Sequence, residues 1–148
     1  MKNKSINQYH YDLKHPNKYI GNYKNVIARS KLEHKWFSYI DTNPKFISWA
    51  SEEFYIPYLS PFDQKMHKYY IDLFFSYKKE NKIIKWLAEI KPLKNLKRPT
   101  KQGQRMIEYI INIEKWKATF IFCNNHALKF CILTDNKIIY PKILKRSP

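Results

Sequence analysis

The sequence predicts a single α/β domain in which a mixed β-sheet is flanked by helices. Three observations carry this. Residues 68–77 and 82–91 alternate like strands on either side of a short polar turn. The second of these strands has large apolar residues on both sides, with Ile84, Trp86, Ala88 and Ile90 on one and Ile83 and Leu87 on the other. That pattern requires a central strand covered on both faces. Helical patterns lie before and after the pair. A chain of 148 residues is large enough to close one such core.

Residues 1–28 are rich in Lys, Asn and Tyr with no sustained hydrophobic period, and read as an irregular arm. Its tyrosines, Tyr9, Tyr11, Tyr19 and Tyr23, are expected to pack on the domain rather than stack on bases. Ser30 opens a helix that runs to about Asp41 and is stopped by Asn43-Pro44. Leu32, Trp36, Tyr39 and Ile40 mark its apolar side, and Glu33 borders that side. Glu33 has two readings: it closes a capping box by reaching back to the Ser30 amide, or it is an acid held inward for chemistry.

Residues 46–51 and 54–58 read as aromatic-rich strands, and 59–66 as a loop. In 68–77, Tyr69, Ile71, Leu73, Phe75 and Tyr77 alternate against Tyr70, Asp72, Phe74 and Ser76. Residues 78–81 carry the turn, and the strand 82–91 follows. Residues 92–99 form a basic loop, and a helix is expected over 100–111. Asn112 reads as the N-cap of a further helix reaching about Cys123. Residues 128–134 form a strand, and a short basic tail covers 136–148. The domain proper thus spans 29–135.

Composition narrows the function. Lys and Arg total 28 against 12 acids, a formal charge of +16, which points to nucleic acid or an anionic membrane as partner. Two glycines in the whole chain leave no material for a phosphate-cradling loop or a dinucleotide fingerprint. Cys123 and Cys131 are too few for a disulfide framework or a cysteine zinc site, and read as buried thiols. The five histidines show no ligand spacing. No run approaches the ~18 apolar residues of a membrane span. The N-terminus, Met-Lys-Asn-Lys-Ser, has no signal-peptide core, which argues for a cytoplasmic protein.

Against this positive background, acids at one point stand out. A hairpin centred on Glu80-Asn81 sets Asp72 directly opposite Glu89, with Cβ atoms ~5 Å apart on one face. Two carboxylates that close raise each other's pKa unless a cation lies between them. Mg²⁺ suits the arrangement, because it takes oxygen ligands and binds through one or two carboxylates plus substrate phosphate. Lys91 projects to the same face as Glu89, where an ammonium orients or deprotonates water or stabilises charge on phosphorus. The competing reading is an ordinary salt-bridged cluster of Asp72, Glu89 and Lys91.

The pattern extends beyond these residues. It includes Arg29-Ser30-x-x-Glu33-x-x-Trp36-Phe37, Ile47-x-Trp49-x-Ser51-Glu52, Tyr69-Tyr70-Ile71-Asp72, Glu89-Ile90-Lys91-Pro92 and Lys115-Trp116-Lys117-Ala118. In these motifs the chain resembles the TnsA-type endonucleases of the PD-(D/E)xK superfamily, and among them the head completion nucleases of T4-like phages. The likeness implies a restriction-endonuclease-like α/β fold. It implies Asp72 and Glu89 as ligands of Mg²⁺ (or Mn²⁺), the Ile90 backbone carbonyl completing the site, and Lys91 as the catalytic lysine. It also matches Glu33 to a catalytic acid that is a possible further ligand. Ile71 stands where the superfamily has proline. Glu52 is a further candidate, for which a structural role is the simpler one.

Lys94, Lys97, Arg98, Lys101 and Arg105 follow Lys91 with no intervening acid, and are expected to hold DNA phosphates beside the site. The expectation is therefore a Mg²⁺-dependent DNA endonuclease, acting by resemblance on the packaged DNA end in phage head completion. Portal, neck or capsid proteins would be its partners, in the virion and host cytoplasm. The alternative is a non-catalytic DNA-binding head completion protein that keeps a nuclease fold.

Overall fold

The computed structural model describes residues 9–141. The beginning of the arm and the end of the basic tail lie outside the described residues. In chain order the elements are β1 (Tyr9–His10), β2 (Ile27–Ala28), α1 (Lys31–Thr42), β3 (Phe46–Ala50), β4 (Tyr55–Leu59) and β5 (Met66–Tyr70). They continue with β6 (Leu73–Lys79), β7 (Lys82–Ile90), α2 (Gln104–Asn125), β8 (Lys129–Leu133) and β9 (Ile138–Ile139).

The main sheet has the order β3-β6-β7-β8-β9, with β7 in the middle. Its β7–β8 pair is parallel and the other neighbours are antiparallel, so the sheet is mixed as the sequence predicts. A parallel pair needs a long crossover, and α2 supplies it. One face carries α1: Phe37 and Ile40 pack with Trp49, Leu73, Ala88, Ile90 and Leu133. The other face carries α2, whose Trp116 and Cys123 meet Leu87, Phe130 and Ile132. The two-sided burial of β7 is thus the one its alternation demands. Cys123 and Cys131 are free buried thiols, with burial pushing both up to about 12.

The hairpin register follows from the turn. Glu80 and Asn81 both have positive φ, 50° and 65°, the conformation of a two-residue turn whose twist matches the strands. Pairing runs from Lys79↔Lys82 to Leu73↔Ala88.

The continuous strand expected over 68–77 is two strands. The chain bends at Ile71-Asp72, because the Ile71 N–H donates to the Phe54 carbonyl and the Glu52 N–H to the Ile71 carbonyl. These bonds pull β5 out of the main sheet to pair with β4 in a separate ribbon, Ile56 opposite Tyr69. The bend also switches faces. Tyr69 and Ile71 join the α2 side, whereas Leu73 and Phe75 join the α1 side.

The two helices expected over 100–111 and from Asn112 are one. α2 begins at Gln104 after Gly103, whose φ of 141° suits glycine. It passes straight through Asn112. Met106 is buried before Asn112, and Trp116, Thr119 and Cys123 bury one side of the helix after it; burial on both sides of Asn112 overrides its local preference for a cap.

The arm is more regular than expected. Tyr9 pairs with Ala28 and His10 with Ile27, and Tyr11, Tyr19 and Val26 are buried. Tyr9 and Tyr23 remain exposed. Asp41, fully buried near the end of α1, accepts the Tyr11 hydroxyl at 2.9 Å and the backbone N–H groups of Lys14 and His15 at 2.6 and 3.0 Å. Lys18 Nζ donates to the carbonyls of Ile40, Asp41 and Asn43, the orphan acceptors of a helix end. At the other end of the chain, β9 adds a short edge strand where a weakly specified tail was expected.

Candidate active site

The open end of the β6–β7 hairpin gathers the acids. Asp72 lies one residue beyond the last ladder pair, so it does not face Glu89 across a ladder rung as the hairpin arithmetic predicts. Its Oδ2 instead accepts the Ile90 N–H at 2.9 Å. The Lys91 N–H donates at 3.0 Å to the Leu133 carbonyl on β8. Across a trans peptide the N–H and C=O point in opposite directions, so the Ile90 carbonyl is turned away from β8, toward the Asp72 side. The bend at Asp72 thus brings a carboxylate and a backbone carbonyl to the same edge.

Glu89 is only 7% exposed. Its Oε2 accepts the Tyr69 hydroxyl, and its Oε1 lies 3.7 Å from Lys91 Nζ. Glu33 is half-buried on the first turn of α1. Ser30 Oγ accepts the Glu33 N–H at 3.1 Å, as an N-cap should. The Glu33 carboxylate accepts the Arg29 N–H at 2.9 Å, one residue further back than the Ser30 amide expected. Arg29 in turn grips Glu52 through Nε and Nη2, each at 3.0 Å. That gives Glu52, whose φ is 54°, a structural partner.

Electrostatics ties these groups together. Burial pushes Glu89 up to about 7, with Glu33 adding to the rise and Lys91 and Lys115 opposing it. Asp72 keeps a little contact with solvent, but the atoms packed round its carboxyl also raise it to about 7. Glu33 and Glu52 add to that shift, while the Ile90 N–H and Lys91 oppose it. Burial raises Glu33 as well, against the Arg29 N–H. Glu33 is the acid whose charge raises both Asp72 and Glu89, and Lys91 is the cation that opposes it at both.

Acids whose carboxyls are all pushed upward by burial form a site short of positive charge. Among the described residues no three His, Cys, Asp or Glu side chains form a ready-made metal cage. The donors at hand are the Asp72 and Glu89 carboxylates and the Ile90 carbonyl, all hard oxygen. That set fits Mg²⁺, which binds through one or two carboxylates plus water and substrate phosphate rather than an all-protein cage. The loop beyond Lys91 exposes Lys94, Lys97, Arg98 and Lys101 to solvent, and the first turn of α2 exposes Arg105.

Residues 43–135 match the family described as TnsA-like endonuclease N terminal. The chain belongs to the TnsA-like endonuclease family. The match takes in Asp72, Glu89, Ile90, Lys91 and the whole basic loop, while Arg29 and Glu33 precede it. The chain is also 30% identical over 134 residues to the head completion nuclease of Enterobacteria phage T4, covering 83% of this chain and 87% of that protein. No solved structure matches. Among the described residues no helix is long and apolar enough to cross a membrane.

Three neighbours of the acids escape sequence reasoning. Tyr69 looks like one more core aromatic of an alternating strand. Lys115 and Arg29 are two basic residues among 28. Their inclusion in the recurring motifs is the one sequence feature that sets them apart.

Proposed function

We propose that this chain is a divalent-metal-dependent DNA endonuclease that hydrolyses phosphodiester bonds. The reading is carried by one observation: two desolvated carboxylates, Asp72 and Glu89, at the mouth of a hairpin in a strongly basic chain, with Lys91 Nζ 3.7 Å from one of them. A pure DNA binder gains nothing from burying negative charge where phosphate must approach. Asp72, Glu89 and the Ile90 carbonyl would hold Mg²⁺ or Mn²⁺, with Glu33 as a possible further ligand. When bound, the metal supplies Lewis-acid polarisation of a phosphoryl oxygen and a water of lowered pKa.

The remaining work falls to the chain itself. The Lys91 ammonium orients the attacking water and offsets charge that builds on the phosphate oxygens. Glu33, bonded to the Arg29 N–H, adds the negative charge that makes the cation necessary. Lys94, Lys97, Arg98, Lys101 and Arg105 hold flanking phosphates and set the duplex over the hairpin mouth. The biological setting we infer is the packaged DNA end in phage head completion, with portal, neck or capsid proteins nearby. It is supported by the name of the phage relative.

The test is cleavage of supercoiled plasmid with Mg²⁺ or Mn²⁺ by wild type, Glu89→Ala and Lys91→Ala. Nicking by wild type that both variants lose supports the proposal. Tight DNA binding by wild type without cleavage under any metal favours a structural head protein instead, and equal cleavage by all three removes the site assignment.

A further inference from the structure

We infer that Tyr69 and Lys115 are a positioning pair for Glu89, through which the β4–β5 ribbon and α2 fix how that carboxylate meets its cation. The inference rests on the proposed metal-dependent function and adds to it two residues outside the Asp72, Glu89 and Lys91 set.

A carboxylate has two oxygens, and a metal can take one or both. At Glu89 one is already engaged, because the Tyr69 hydroxyl donates to Oε2. Oε1 is left on the side of Lys91. The Tyr69 ring is 5% exposed, so its hydroxyl contacts Glu89 from within the protein and not from the DNA side. Ring burial alone does not require a hydroxyl aimed at a carboxylate, since a phenylalanine would fill the same space.

Lys115 stands over the face of this ring. Its Nζ stands 5.2 Å from the centroid of Tyr69 and 5.7 Å from that of Tyr58, both within cation–π reach. Tyr58 and Tyr69 come from neighbouring strands of the ribbon, whereas Lys115 comes from the middle of α2. The ammonium therefore clamps the ribbon to the helix beside Glu89. The bend at Ile71-Asp72 explains why the ribbon is there. By leaving the main sheet, β5 swings Tyr69 over the face of β7 that carries Glu89.

Partners of this kind that orient a metal ligand change metal affinity or activity by about 10- to 100-fold when removed. The experiment measures Mn²⁺ binding calorimetrically on the intact, DNA-free protein. Tyr69→Phe keeps the ring and removes only the hydroxyl, and is expected to weaken Mn²⁺ by that factor. DNA affinity measured in EDTA should not change, and in cleavage assays kcat falls with KM for DNA held. Lys115→Ala weakens Mn²⁺ likewise, and Lys115→Arg restores most of the loss, since a guanidinium also stacks on aromatic faces. A purely structural role would lower the melting temperature and leave Mn²⁺ affinity alone. Wild-type Mn²⁺ affinity in Tyr69→Phe or Lys115→Ala overturns the pair while leaving the metal site standing. If wild type itself binds no Mn²⁺, the underlying functional reading falls and the pair falls with it.

Discussion

Replacing Glu89 by glutamine should stabilise the metal-free protein at alkaline pH. The carboxyl sits at about 7 in the folded chain, against an ordinary value of 4.5. Between these values the unfolded chain has released the proton while the folded chain still holds it. The folded state therefore binds more protons, and stability falls as pH rises through that window. The full swing, about 2.5 units at 1.36 kcal/mol each, is about 3 kcal/mol. Below pH 4 both states are protonated and the penalty is absent, and above pH 8 it is complete. Glutamine keeps an oxygen for the Tyr69 hydroxyl and carries no charge to desolvate. The assay is urea unfolding of wild type and Glu89→Gln in EDTA from pH 4 to pH 8.5. The difference between them should move in favour of the variant by about 3 kcal/mol, or roughly 6–12 °C in melting temperature. Saturating Mn²⁺ should reverse the ranking at pH 8.5, because only wild type gains from the ion. A difference that stays flat with pH, or that moves toward wild type, refutes the reasoning that Glu89 is a desolvated acid awaiting a cation.

Asp41→Ala removes the acceptor of three hydrogen bonds and should cost about 3 kcal/mol in urea unfolding, with faster proteolysis in residues 9–28. Ser30→Ala deletes an N-cap and should cost about 1 kcal/mol. Glu33→Gln, which keeps an oxygen for the Arg29 N–H, should cost less than that in stability yet lower cleavage at least about tenfold. A matched small effect on both quantities would make Glu33 a cap and nothing more. If duplex binding neutralises ~6 phosphates, its log–log salt slope is near −5, and replacing Lys97, Arg98 and Lys101 together by alanine should shrink the slope by about 3. An unchanged slope would move the DNA path elsewhere on the surface.

How much of this was legible in the sequence depended on how local its cause was. Glu80-Asn81 set the hairpin register, and the two-sided apolar alternation of β7 announced a central strand, because turn geometry and pleat are short-range properties. Ser30 and Glu33 announced the start of α1 for the same reason. The break at Ile71-Asp72 could not be read that way. The alternation continues through it unbroken, and its causes are hydrogen bonds to the 52–54 bend, nearly twenty residues upstream. With the break went the change of face, so Tyr69 looked like core alone when its hydroxyl also contacts Glu89. Asn112 misled in the opposite sense: a strong local cap preference lost to burial on either side of it, at Met106 and at Trp116, Thr119 and Cys123. Asp72 is a candidate from the sequence whose expected ladder pairing does not form, yet the bend still delivers it to the same edge as Ile90. Residues 9–28 gave no periodic signal because distant partners hold them, among them Asp41 and the carbonyls at the end of α1.

Single-turnover cleavage of duplex DNA by wild type and Asp72→Asn, with DNA affinity measured on the same samples in EDTA, bears most directly on the proposed site. We expect wild type to cut only when Mg²⁺ or Mn²⁺ is added. Asp72→Asn should lose at least about a hundredfold in rate while binding DNA as tightly as wild type, or more tightly. Cleavage by wild type without a divalent ion, or undiminished cleavage by Asp72→Asn, would contradict it.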